Sequence, residues 1–211
     1  MKYSYNPPAV VKSIFKAYKW NTINGKILLT FDDGPLLGNT RPILNALERH
    51  EIKAMFFCVG NNIKKEPELV KEILNGGHEI GNHTYNHKII TKLTAAEIDA
   101  EIDPVNRLME DKFNYKIKYF RPPHGKFGIS TKRILAGKNL TNVMWSLLTR
   151  DYNNDFKVVK FAVTKYLERD SIIVLHDSLK SKDIILDSIN FIVDYANDAG
   201  FEFGEPLECL K

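Results

Sequence analysis

Along the chain, short runs of β-branched and aromatic residues alternate with longer stretches whose apolar residues recur at three- and four-residue spacing. The runs lie at residues 26–31, 54–59, 78–81, 116–120, 141–147, 171–176 and 201–203. Their composition predicts about seven strands. Helices are predicted over 40–49, 67–75, 94–113, 129–138, 156–169 and 182–199. Ile43, Leu44 and Leu47 share a face in the first. Pro67 begins the second and Gly76-Gly77 ends it, a start and stop set by proline's fixed φ and glycine's freedom at positive φ. Thr94-Ala95-Ala96-Glu97 is a capping-box pattern, and Pro104 is expected to kink or divide the helix that follows. Gly200 is placed to cap the last helix. Strands alternating with helices imply βα units and a parallel sheet. This pattern fits an open doubly wound sheet or a barrel equally. No internal repeat, low-complexity tract or linker interrupts it.

Composition narrows the classes. The 211 residues suit one domain, with 44% hydrophobic and 27% charged residues. Thirty basic against 26 acidic residues leave a formal charge of +4, a mixed solvated surface that gives no case for a nucleic-acid partner. No apolar stretch reaches the ~18–20 residues of a membrane span. The first residues lack an apolar leader core and a small-residue cleavage site. With Met1 as the start, a cytoplasmic address is the default expectation. Cys58 lies in an apolar run and Cys209 near the C-terminus, neither in a CxxC pair, so neither a disulfide framework nor a thiolate metal site is expected.

Five polar clusters fall at strand ends. They are Thr30-Phe31-Asp32-Asp33-Gly34-Pro35, His83-Thr84-Tyr85-Asn86-His87, Arg121-Pro122-Pro123-His124-Gly125, Arg150-Asp151-Tyr152 and Leu175-His176-Asp177. In a parallel α/β protein the strand C-termini share one rim, where such folds carry their sites. Asp32 and Asp33 at a strand end can both approach one site where the chain turns at Gly34-Pro35. An Asx-type turn would also account for Asp-Gly. His83 and His87, at i and i+4, would share a face on a helical turn, and Asp33 would add an oxygen. Two imidazoles and one carboxylate leave a divalent ion an open position, as catalytic zinc sites do. His176 closes an apolar strand; a satisfied core histidine and a general acid or base both fit. Arg121, fixed before two prolines, can hold a carboxylate by its fork or cap a strand end. His50 reads as solvated, His78 as making a structural hydrogen bond, and Trp20 and Trp145 as core packing.

Taken in order, these five motifs resemble the NodB-homology polysaccharide deacetylases, carbohydrate esterase family 4, from about residue 26 to 203. The resemblance implies a single-domain distorted parallel (β/α) barrel over residues 26–211, with residues 1–25 an extension packed on it. It implies a deacetylase that hydrolyses the N-acetyl amide of a sugar in a glycan. It makes Asp32 the general base, with Asp33, His83 and His87 the ligands of Zn2+ or of Co2+ or another divalent metal. Arg121 would orient Asp32, and Asp151 would pair with that Arg. His124 would offer a backbone N–H to the oxyanion, Leu175 would wall the acetyl-methyl pocket, and His176 would be the general acid. The family's Arg-Pro-Pro-Tyr-Gly reads His124 here, and its Asp-x-x-Asp-Trp reads Leu148-Thr149-Arg150-Asp151-Tyr152. These departures bear on substrate more than on reaction. A hydrolase of small non-sugar amides and a carbohydrate-binding homologue without turnover are the rival readings, separated by acetate release from N-acetylated oligomers against small amides and by binding without product. The identity of the glycan and the oligomeric state are not readable.

Overall fold

Seven short strands, all paired in parallel, form the sheet in the order β5-β4-β3-β2-β1-β7-β6. They are β1 (Leu28–Asp32), β2 (Met55–Cys58), β3 (Glu79–Asn82), β4 (Tyr119–Phe120), β5 (Thr141–Asn142), β6 (Leu147–Leu148) and β7 (Ile172–His176). The computed structural model describes residues 5–211; residues 1–4, on which part of the leader reading rests, lie outside the described residues. The sheet curls into an incomplete barrel, the expected architecture, with helices packed outside it.

Among the described residues the α-helices are α1 (Ala9–Ile14), α2 (Thr40–Arg49), α3 (Gly60–Lys65), α4 (Pro67–Asn75), α5 (Ala95–Phe113), α6 (Thr131–Gly137), α7 (Phe156–Tyr166), α8 (Ile185–Asp198) and α9 (Pro206–Leu210). The Thr94–Glu97 capping box is present, and Pro104 lies inside an unbroken α5. Of the two outcomes expected at Pro104, a kink or a division, the division is the one that fails. Tertiary burial of Ile98, Ile102, Val105 and Met109 along one face holds that helix together across the proline.

Alternation along the strands separates two apolar layers. Leu29, Phe31, Phe56, Cys58, Ile173 and Leu175 face out to the helices in the main core. Leu28, Met55, Phe57, Tyr119, Val143 and Ile172 face in and fill the curl. Cys58 and Cys209 are both buried with free thiols.

Two strand predictions are corrected. The run 141–147 is not one strand; its ends are β5 and β6, which stand at opposite edges of the sheet. The residues between them cross from one edge to the other, with the carbonyls of Val143 and Met144 taken by the Arg121 guanidinium rather than by a neighbouring strand. The run 201–203 makes a single parallel bridge, Phe203 to Ile27, before Gly204 turns into α9. The N-terminal segment packs on this frame. Tyr18 and Trp20 cluster with Met144, Phe15 and Phe127. Leu148 N–H donates to the Tyr5 carbonyl at the β6 edge.

Candidate active site at the strand C-termini

The inward-facing polar residues gather at the C-terminal rim of β1, β3, β4 and β7. They line a cleft of ≈330 Å³ with Asp32, Asp33, His83, His87, His124, Tyr152 and His176 in its wall.

Asp32 is the last residue of β1 and lies in register with His176 of β7. Inside a strand, Asp33 would point the other way. A left-handed backbone, φ 76, returns its side chain to the site, and its carbonyl accepts a hydrogen bond from Asn62 Nδ2 at 2.7 Å. The turn needs glycine next. A Cβ on Gly34 would stand 2.4 Å from Asp177 Oδ2. Asp177 is turned away from the cleft and bound by Asn39 Nδ2 and Thr40 Oγ1, and burial lifts its pKa to about 6.

His83 and His87 do come together, but not on the helical turn expected. The segment is a loop with Thr84 at φ 65 and His87 at φ 57. It is tied at both sides: the N–H groups of Gly60 and Asn61 donate to the Thr84 and Tyr85 carbonyls, and Thr84 N–H donates to Asn82 Oδ1. His87 Nε2 lies 3.2 Å from Asp33 Oδ1, and His83 Nε2 3.7 Å from the same oxygen. One atom from each of Asp33, His83 and His87 falls within 4.8 Å of the others. Two ligand atoms ~2.0–2.1 Å from one tetrahedral zinc stand about 3.3 Å apart, so the spacing fits. The protonation chemistry fits too. His83 Nδ1 donates to the Arg121 carbonyl at 2.7 Å, which leaves the Nε2 lone pair facing the site. Burial lowers the His83 pKa to about 4, so the imidazole is neutral as a ligand must be. Burial alone would raise the Asp33 carboxyl, but its hydrogen bond to His87 and the neighbouring imidazoles hold it well below the ordinary carboxylate range.

Arg121, fully buried, follows β4. Nη1 donates to Asp32 Oδ1 at 2.8 Å and to Thr30 Oγ1 at 2.7 Å, while Nε and Nη2 reach the Val143 and Met144 carbonyls. Its cation sits 4.1 Å over the Phe57 ring. The expected Arg121–Asp32 pair is therefore present, with Asp32 Oδ2 on the His83 side, 3.9 Å from its Nε2.

Asp151 does not pair with that arginine. Its carboxylate accepts from the backbone N–H of His176 and lies 2.7 Å from His176 Nδ1. The resemblance named Arg121 as its partner; here Arg121 donates instead to Asp32, Thr30 and the Val143 and Met144 carbonyls. Burial would lower the His176 pKa, but the Asp151 charge and hydrogen bond overcome it and raise the value to about 9.

Leu175 does not wall the cleft either. It faces the outer core opposite Phe31, because His176 points inward and alternation turns its neighbour outward. The apolar lining is Leu148, Val174 and Trp145. Trp145, read as core packing, does pack partly buried against the inner and N-terminal clusters and also presents a face to the cleft wall; Lys180, unremarked in the sequence, joins it there. A rim position could have flagged Val174 and Lys180, since both flank His176. Tyr152 meets the His176 ring edge-on at 5.0 Å, and the His124 ring lies 4.8 Å from that of His87. His78 accepts the Ala54 N–H as expected, and His50, expected in solvent, bonds Asn190.

Gly125 has φ +64, and a Cβ there would stand 2.2 Å from Trp145 Cη2. Gly125→Ala is expected to cost about 1–3 kcal/mol of stability through strain and overpacking. It should also displace the indole, seen as a shift in tryptophan fluorescence; an unmoved spectrum would count against this contact.

Comparison with known proteins agrees with the geometry. A family profile described as polysaccharide deacetylase matches residues 19–143. A peptidoglycan-N-acetylglucosamine deacetylase of Bacillus cereus is 36% identical over 149 residues, 71% of this chain and 54% of its own. A crystallised peptidoglycan N-acetylglucosamine deacetylase, bound to a naphthalenyl N-oxidanyl-benzamide, superposes with a TM-score of 0.88 at 29% identity, covering 94% of this chain and 95% of its own. A Bacillus anthracis protein described as a carbohydrate esterase family 4 pseudoenzyme has a TM-score of 0.80 at 25% identity, covering 92% of this chain and 68% of its own. The chain spans about half the length of the first curated relatives it matches. Among the described residues no helix is long and apolar enough to cross a membrane. With a profile matched over more than half its residues and this fold beside it, the chain belongs to the polysaccharide deacetylase family.

Proposed function

We propose that the chain is a metal-dependent deacetylase that hydrolyses the N-acetyl amide of a sugar in a glycan and releases acetate. The observation that carries the reading is the pairing across β1 and β7. A carboxylate with one oxygen uncommitted stands in register with an imidazole held protonated by Asp151, beside a His/Asp triad.

Asp33, His83 and His87 would hold the divalent ion, zinc being the ion of first choice for this donor set; when bound it supplies Lewis-acid polarisation and a more acidic water. Arg121 fixes Asp32 through Oδ1. Oδ2 is then placed to accept the proton of the water that attacks the acetyl carbonyl carbon. The backbone N–H of His124 is the proposed donor to the oxyanion that forms. His176, with Nδ1 engaged by Asp151, has Nε2 left to protonate the leaving amine. Leu148, Val174 and Trp145, in place of Leu175, offer the acetyl methyl an apolar wall. His124 and Tyr152 border the sugar side.

The relatives named for peptidoglycan deacetylation favour an acetylated cell-wall glycan as substrate. Such a polymer does not suit the cytoplasmic address expected from the sequence, and that expectation finds no support in the comparisons.

The test is acetate release from a panel of acetylated peptidoglycan and chitin fragments. Activity should vanish with a chelator and return on adding Zn2+ or Co2+. A second reading, glycan binding without turnover, draws on the altered positions His124, Leu148 and Tyr152 and on the pseudoenzyme relative. Binding by the metal-loaded protein with no acetate formed would select it.

A further inference from the structure

His83 is fixed through its own ring, by Nδ1 to the Arg121 carbonyl. His87 takes its place from the chain that carries it, a loop with positive φ at Thr84 and at His87 itself. The residue before it, Asn86, is gripped by a carboxylate from a different element. Glu101 Oε2 accepts the Asn86 backbone N–H at 2.7 Å, and Oε1 accepts Asn86 Nδ2 at 2.8 Å. Asn86 Oδ1 in turn accepts from Asn61 Nδ2 of α3 at 2.7 Å.

Glu101 is 2% exposed. It lies on the buried face of α5, three residues from Ile98 and four from Val105, among apolar positions. A carboxylate on that stripe costs free energy unless its oxygens are matched. Its partners are those two Asn86 donors and the Lys88 ammonium, 3.2 Å from Oε1. All come from the residues on either side of His87. The same helix holds the other end of the loop, where Asn82 Nδ2 donates to the Ile102 carbonyl and to Asn106 Oδ1.

We propose that Glu101 is a positioning residue for the metal site, a buried carboxylate that clamps Asn86 and Lys88 and so sets where the His87 imidazole stands. The inference rests on the reading of Asp33, His83 and His87 as ligands. Outer groups that orient a ligand typically change metal affinity by 10–100-fold when removed.

The test uses the full chain and Zn2+ itself. Affinity is measured by competition with a chromophoric chelator for wild type, Glu101→Gln, Glu101→Ala and His83→Ala. Visible spectra of the Co2+ forms and melting of the metal-free proteins are recorded alongside. Glu101→Gln keeps the shape of the side chain, so it carries the test should Glu101→Ala not fold. It should bind Zn2+ about 10-fold more weakly and shift the Co2+ absorption bands. Glu101→Ala should lose up to about 100-fold. A glutamate that only supports the fold would lower metal-free melting and leave Zn2+ affinity and the Co2+ spectrum as in wild type; that pattern overturns the proposal. No Zn2+ binding by wild type, or undiminished binding by His83→Ala, strikes instead at the ligand assignment.

Discussion

Asp32→Asn should keep its metal and lose about 10³-fold or more in acetate release. General-base catalysis by a positioned side chain contributes typically 10²–10⁴-fold, and an amide oxygen is a poor proton acceptor. Asn at this position retains an oxygen for the Arg121 Nη1 bond, so its geometry is close to that of the carboxylate. The arginine, fully buried, loses its counter-charge, which costs about 3–5 kcal/mol where a buried pair is broken. Metal content and melting therefore need to be measured with the rate. His83→Ala, which removes a ligand, should lose metal and activity together. An Asp32→Asn protein that is folded, metal-loaded and fully active would remove this residue from the base role.

Asp151→Asn should act through pH. His176 is raised to about 9 against the burial that would lower it, chiefly by the Asp151 charge and hydrogen bond. In the proposed mechanism the acid form protonates the leaving amine, so wild-type activity should persist below pH 9 and fall as pH rises through it. With the Asp151 charge gone, the value falls from about 9 towards the ordinary imidazole value of about 6.5, burial lowering it and the Asp32 and Asp33 charges still raising it. At pH 8 a value of about 6.5 takes the protonated fraction from roughly nine-tenths to about three-hundredths, a loss near 30-fold that lessens as the medium is acidified. The same raised pKa is a stability statement. Its contribution is complete below the unfolded value, about pH 6.5, and is lost as pH rises through 9. A basic limb unmoved in Asp151→Asn would show that another group sets it.

The sequence carried the parallel sheet, the rim and the gathering of Asp32, Asp33, His83, His87, Arg121, Asp151 and His176, because strand termini in such a fold share an edge. Contacts between them were less readable. His83 and His87 meet through a loop with left-handed residues, which four-residue spacing cannot distinguish from a helical turn. Asp151 lies against His176 and not against Arg121, as the motif resemblance had it, because which rim side chains touch depends on loop geometry that motif order does not carry. Leu175 could have been placed correctly, since an inward His176 dictates an outward neighbour and an inward Val174. Trp145 was hidden because the run 141–147 reads as one strand, whereas its middle passes between the sheet's two edges. The buried carboxylate of Glu101 left a trace, an acid on an apolar helical stripe, whose purpose shows only in three dimensions.

The crossing segment has one further consequence. Arg121 binds Asp32 with one arm and the Val143 and Met144 carbonyls with the others. The segment between the sheet's two outermost strands is thus tied to the Asp32 carboxylate through one guanidinium. Fraying there cannot stay local: whatever lets that segment part also frees the carboxylate to swing. Loss of turnover should then precede loss of secondary structure when the protein is warmed.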